Sequence, residues 1–314
     1  MDKKLFLYGI WLMLTVACGK DDDGKDFRLE GEWETHFSPF PIAVLHGSVG
    51  FGDGESYYCG LGSDPEMPTN LLCRFKPGAG WTVMEKFPGK QREGAVGFVL
   101  GKKIYVGLGL YQAEALKDFW VYDTQTGEWE ELQTEFPGEG RWGAVAFVSN
   151  GKAYVGTGAR DDKLAGTTLC GDFYAFSPES GWNQAEGLTV NARKDATAFE
   201  ADGNIYLCFG QGKESTCRDV YRLAEDELSW EAMKSLSPDQ FPEIPEKISS
   251  FVLNRKGLDY AFVYDTKRGE GYKYVPREDR WERSDDLPKA DFYFTVSHTL
   301  YRVDGIQTFR LIEE

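Results

Sequence analysis

Short apolar runs broken by turn-forming clusters dominate this chain after its first eighteen residues. Runs of about four to six residues rich in Val, Ile, Phe and Tyr are split by Asn150-Gly151, Asp202-Gly203 and Pro77-Gly78. No sustained helical period follows the leader, so the pattern predicts strands joined by tight turns. The strands also recur. Trp33, Trp81, Trp129, Trp182, Trp230 and Trp281 are separated by 48, 48, 53, 48 and 51 residues. A second ladder runs ahead of the first: Tyr57, Tyr105, Tyr154, Tyr206, Tyr260 and Tyr301. Several of its runs end in glycines, as in Ile104-Tyr105-Val106-Gly107-Leu108-Gly109. A third signal reads Asp118-Phe119-Trp120-Val121-Tyr122-Asp123, Asp172-Phe173-Tyr174-Ala175-Phe176 and Asp219-Val220-Tyr221-Arg222-Leu223.

A period near fifty residues with four strands per unit predicts a propeller blade. The expectation is an all-β, six-bladed β-propeller of four-stranded antiparallel blades over residues 28–314. The last segment, 292–312, holds about three strands and no Trp, whereas 32–37 holds one strand with Trp33 and no partners. The N-terminal strand is therefore expected to complete the sixth blade and remove its exposed edge. Together the three signals resemble the kelch repeat, with an Arg before the first strand and a Trp on the fourth. Residues 92–132 match best, and 247–287 is a degenerate copy.

The leader changes the setting. Lys3 and Lys4 precede an apolar run, Leu5–Ala17, that is short for a membrane span. It ends Leu14-Thr15-Val16-Ala17-Cys18, which resembles the bacterial lipoprotein signal. The resemblance implies removal of 1–18 up to a lipidated Cys18. Gly19-Lys20-Asp21-Asp22-Asp23 resembles the tag of surface lipoproteins in the Bacteroidota, and 19–27 reads as a flexible acidic tether. An outer-membrane, cell-surface location held by the lipid alone is expected. Five cysteines remain, and Cys59–Cys73 and Cys208–Cys217 are the candidate disulfides because each would join neighbouring strands of one hairpin.

The net charge of −16 argues against nucleic acid as a partner. His36, His46 and His298 have no metal-ligand spacing, no cysteine pair has zinc spacing, and the Gly-x-Gly runs precede no helix. No cofactor and no metal is expected. Candidate ligand contacts gather at one channel mouth, where the loops of several blades converge. Arg92, Arg141 and Arg193 share one repeat position, with Lys247 and Lys289 close to it in later blades. A ring of cations there would suit a carboxylate-bearing ligand. A repeated Arg with a repeated Asp (118, 172, 219) also reads as an ion pair copied with the fold. Glu93, Tyr111, Trp142 and Arg160 complete the candidates; Trp142 alone among the tryptophans has no place in the repeat or leader.

Two functions follow. One is a non-catalytic surface module that binds a glycan or an outer-membrane protein complex through one propeller face. The other rests on similarity to kelch propellers of the N-acetylneuraminate mutarotase family, whose chemistry needs an acid/base group such as Glu93 or Glu139 beside an Arg.

Overall fold

The computed structural model describes residues 27–35, 37–42, 46–62, 69–162, 166–238 and 248–312. The expected leader, Cys18, the tether up to Asp26, His36 and Lys247 lie outside them. Strand β1 (Glu32–Glu34) comes first. Blade 1 holds β2 (Val49–Gly52), β3 (Tyr57–Gly60), β4 (Leu72–Lys76) and β5 (Gly80–Val83). Blade 2 holds β6 (Val96–Leu100) and β7 (Lys103–Gly107), a small hairpin of β8 (Leu110–Tyr111) and β9 (Glu114–Ala115), then β10 (Phe119–Asp123) and β11 (Glu128–Glu131). Blade 3 repeats this plan with β12 (Val145–Ser149), β13 (Lys152–Gly156), the hairpin β14 (Ala159–Asp162) and β15 (Gly166–Leu169), β16 (Asp172–Ser177) and β17 (Gly181–Thr189). Blade 4 holds β18 (Thr197–Ala201), β19 (Asn204–Cys208), β20 (Val220–Leu223) and β21 (Trp230–Met233). Blade 5 holds β22 (Ile248–Arg255), β23 (Leu258–Asp265), β24 (Glu270–Val275) and β25 (Arg280–Ser284). Blade 6 holds β26 (Phe292–Val296), β27 (Thr299–Asp304) and β28 (Gln307–Ile312).

Every blade is antiparallel, and β1 is the fourth strand of blade 6, with Trp33 opposite Leu311. The expected closure is thus present. First strands line the axis. The turns between first and second strands, and between third and fourth, share what we term the lower face. The loops from second to third strand and from blade to blade share the upper face.

The blades are held together by aromatic side chains. In each one a first-strand Phe stacks on the directly opposed ring of the second strand: Phe51–Tyr58, Phe98–Tyr105, Phe147–Tyr154, Phe199–Tyr206, Phe251–Phe262 and Phe294–Tyr301. The tyrosine ladder is therefore displaced in two blades. Blade 1 uses Tyr58 and not Tyr57, and blade 5 uses Phe262 and not Tyr260. Period-two alternation explains the slip in blade 1, where adjacent tyrosines leave the inward one undecided. The fourth-strand tryptophans wedge between blades. Trp182 packs on Phe119 of blade 2, Trp230 on Phe147 and Phe173 of blade 3, and Trp81 on Phe294 of blade 6. Trp81 also donates its indole N–H to Thr308 Oγ1 at 2.8 Å, tying the first blade to the last.

Trp33 holds the closing strand by its edge contact with Tyr293 and by the Arg302 guanidinium over its ring. Trp33→Ala is expected to cost about 2 kcal/mol, below the full cost of a core Trp because the ring is only half-buried. Urea unfolding followed by fluorescence checks this as a lowered midpoint.

Neither expected disulfide is formed: all five described cysteines are free thiols. Cys59 and Cys73 do face each other across β3 and β4. Two residues further on, Leu61 N–H donates to Leu71 O. Alternation along the ladder makes Cys59–Cys73 a hydrogen-bonded pair, the wider of the two spacings. Burial pushes the Cys73 thiol up to about 12 and raises Cys59 further, so both stay protonated. Cys208 is opposite Val220, and Cys217 lies in the loop ahead of that strand.

Candidate functional site

The repeated arginines are structural. Arg92, Arg141 and Arg193 are each at most 2% exposed. Each makes one set of bonds. Nε donates to the carbonyl two residues earlier (Lys90, Glu139, Asn191). Nη1 donates to the carbonyl of Leu108, Thr157 or Phe209. Both Nη atoms fork onto Asp118, Asp172 or Asp219. Leu108, Thr157 and Phe209 sit at φ of 57°, 57° and 61°, and the following glycine N–H of blades 2 and 3 donates to the next blade's arginine carbonyl. The fork thus steadies a left-handed turn that costs non-glycine residues about 1 kcal/mol. The ring of cations read from the sequence is not a ligand surface: three members are buried and neutralised. Lys289 is exposed, outside that slot, and Lys247 is outside the described residues.

Burial would raise the three aspartates, but the arginine hydrogen bonds and charges outweigh it and hold Asp118, Asp172 and Asp219 below the usual carboxylate range. Their stabilisation is present above the unfolded value near ~3.9 and is lost as pH falls through the lower folded values. Urea midpoints are expected to hold steady from about pH 7 to 5 and to fall below about pH 4, with a shallower fall in Asp172→Asn.

Around the axis on the upper face, His46, Glu93, Trp142 and Lys194 follow one another in successive blades. Their backbones are linked: Gly94 N–H donates to Gly47 O, Gly143 N–H to Gly94 O, and Asp195 N–H to Gly143 O. Glu93 meets His46 Nδ1 at 3.0 Å. Lys194 Nζ lies 4.5 Å from the centre of the Trp142 ring and donates to Asp195 at 2.6 Å. Trp142, the tryptophan without a repeat explanation, is therefore half-buried with one face covered by an ammonium group, and its indole N–H has no hydrogen-bond partner among the described residues.

Outside this ring, blade 3 carries a half-open cavity of about 250 Å³ lined by Glu139, Arg141, Arg160, Cys170, Asp172 and Tyr174 with Leu169 and Gly171. Strand pairing explains its shape. Glu93 bridges to Leu110 in blade 2 and Trp142 to Ala159 in blade 3, so Tyr111 and Arg160 occupy one repeat position. Lys90 and Glu139 occupy another, since both carbonyls accept the arginine Nε. In blade 2 the equivalent charges are paired: Lys90 meets Glu114 at 2.6 Å and lies 5.7 Å from the Tyr111 ring. In blade 3 the charges are reversed and apart. Arg160 replaces the Tyr, Glu139 replaces the Lys, and Thr168 stands where Glu114 does. Among the described residues, neither the half-buried Arg160 guanidinium nor the exposed Glu139 carboxylate has an ion-pair partner. Cys170 between them is kept a neutral thiol by burial, against the pull of Arg141. Tyr174 is likewise kept neutral by burial and by its hydrogen bond to Asp172.

The structure thus joins Arg160 to Glu139 and to the wall residue Arg141. It leaves Arg92, Tyr111, Arg193 and Lys289 elsewhere and puts Glu93 and Trp142 at the axis. Cys170, Tyr174 and His46 were not expected at the upper face, whereas Lys194 follows Arg193 as Trp142 follows Arg141 and so shares its repeat position. The two-residue offset of Cys170 from Asp172 could have placed that cysteine.

The fold and this upper-face cavity define a six-bladed β-propeller with a small polar site on one blade. The solved structure of YjhT superposes with a TM-score of 0.62, covering 88% of this chain and 95% of that one at 17% identity, which shows the shared fold. Local relatives in sequence are N-acetylneuraminate epimerases: that of Yersinia pestis (strain Pestoides F) is 35% identical over 113 residues, 34% of this chain and 28% of its own length. That of Vibrio vulnificus (strain YJ016) is 34% identical over 107 residues, 32% of this chain and 27% of its own. The chain therefore matches little more than a quarter of the length of these relatives. No family model matches the chain.

Proposed function

We propose that the chain interconverts the anomers of an acidic monosaccharide of the N-acetylneuraminate class in the blade 3 cavity. The observation that carries this reading is the pair of opposite charges lining one cavity, Arg160 and Glu139, neither of which has an ion-pair partner among the described residues. The names of the local relatives point the same way. A cavity of about 250 Å³, just below the usual ~300–1,000 Å³ of ligand sites, suits one sugar better than an oligosaccharide.

In such a sugar the carboxylate and the anomeric hydroxyl share one carbon. Arg160 pairs with the carboxylate and so fixes that carbon. Glu139 takes the hydroxyl proton as the bond to the ring oxygen breaks, and the ring oxygen collects a proton from water. The open keto acid turns and recloses: the ring-forming hydroxyl gives its proton back to the hydroxide left by that water as its oxygen bonds to the carbonyl carbon, and Glu139 returns its proton to the new anomeric hydroxyl. We further propose that the protein is exported and held at the outer membrane by a lipid on Cys18.

Two-dimensional exchange NMR on N-acetylneuraminate tests the reaction. Exchange cross-peaks strengthened by catalytic amounts of protein are expected. Saturable binding without faster exchange would replace the enzyme with a non-catalytic glycan-binding module, and neither binding nor exchange would overturn both.

A further inference from the structure

The strongest unexplained feature away from the cavity is the way the chain enters the propeller. Phe27 is stacked on Tyr260, with ring centres 4.7 Å apart, and meets Phe262 edge-on at 6.3 Å. The Arg255 guanidinium lies 5.6 Å from its ring centre. Lys273, 5% exposed, donates Nζ to Phe27 O at 2.8 Å and pairs with Glu282 at 2.7 Å. Leu29 and Trp33 join the same cluster between blades 5 and 6. The path of the chain is therefore fixed from Phe27 onward.

That path has a direction. Glu32 is opposite Ile312 and Glu34 opposite Arg310. β28 runs from the upper to the lower face, so β1 rises from the lower one. Arg255 and Tyr260 flank the first turn of blade 5, which is also on the lower face. Phe27, the first described residue, is consequently held beside the lower-face turn of blade 5, opposite the cavity of blade 3.

Cys18 precedes Phe27 by nine residues, which span about 30 Å at full extension. A blade wall of five- to six-residue strands takes up roughly 17–20 Å of that before its turns are counted. Such a tether brings the upper face to a bilayer only when drawn straight along the wall. We infer that the propeller sits with its first-to-second and third-to-fourth strand turns toward the bilayer and its cavity face turned outward. The inference rests on the proposed anchoring through Cys18 and would place the cavity where soluble sugars reach it.

The test uses the full chain purified from bacterial membranes and reconstituted in phosphatidylethanolamine–phosphatidylglycerol vesicles. A fluorophore is attached through an azide-bearing residue replacing either Lys102, in the exposed first turn of blade 2, or Lys289, on the upper face. Lipids carrying a headgroup nitroxide supply the quencher. Quenching at position 102 is expected to exceed that at 289 several-fold. Equal quenching, or the reverse order, in protein that floats with the vesicles would overturn the orientation alone. Wild-type protein that fails to float, as Cys18→Ser is expected to fail, would remove the anchor and with it the orientation.

Discussion

Replacing Arg160 by Ala should lower kcat/KM for anomer exchange by about 10- to 100-fold. A charge-assisted hydrogen bond to the substrate carboxylate is worth about 1.5–3 kcal/mol, and its loss converts to that factor. Arg160 lies on β14 of a hairpin added to blade 3, and its side chain has no ion pair or hydrogen bond to lose among the described residues. The urea midpoint should therefore move little, since exposed or half-exposed positions without partners shift stability by roughly 0.5 kcal/mol at most. Steady-state NMR exchange and urea unfolding on the same preparation separate the two effects. A lost rate with an intact midpoint is the expected result. Arg160→Lys should recover part of the affinity, because it keeps the charge while losing the fork that reads a planar carboxylate. Glu139→Gln, which keeps the shape and removes the base, should lower kcat more than it raises KM.

Arg141→Leu should give the opposite pattern: a large loss of stability from a residue that resembles a ligand contact in sequence. Removing the guanidinium leaves the Thr157 and Glu139 carbonyls without its N–H donors and Asp172 with the Tyr174 hydroxyl but no counter-charge. Breaking one side of a buried ion pair costs about 3–5 kcal/mol, and the lower end applies because Asp172 is itself 35% exposed. The urea midpoint should drop by the corresponding amount. Pairing the change with Asp172→Leu should restore part of the loss, since replacing both partners removes the unpaired charge. Any fall in exchange rate for Arg141→Leu would then report a collapsed cavity wall and not a lost substrate contact. Arg160 is for this reason the informative position, although Arg141 has the stronger motif.

The contrast explains what could be read from the chain beforehand. Blade number, strand order and closure by β1 all follow from one inward aromatic and one tryptophan per period. Two rungs slipped. Tyr57 and Tyr58 are adjacent, so pattern alone does not say which faces Phe51. In blade 5, Tyr260 was singled out by residue type, yet packing places Phe262 against Phe251 and leaves Tyr260 to hold Phe27. The arginines show a different limit. Their spacing was plain, but spacing does not distinguish a charge that meets solvent from one whose donors are nearly all taken by an aspartate and two carbonyls. The cavity was legible only in part. Arg160 and Glu139 were both visible as charged loop residues. Their pairing across a space depends on the neighbouring blade, where Lys90 and Glu114 pair beside Tyr111 at the same position. The cysteines were legible in part: register does set Cys59 opposite Cys73, whereas Cys217 is offset from Cys208, which faces Val220.

The most direct test of the account is two-dimensional exchange NMR on equilibrated N-acetylneuraminate with wild-type protein, Arg160→Ala and Glu139→Gln at equal, catalytic concentration. The account predicts that wild-type protein accelerates exchange between the anomers, and that both variants lose most of that acceleration while remaining folded. Wild-type protein that leaves the exchange at its uncatalysed rate, or variants that match the wild type, would contradict it.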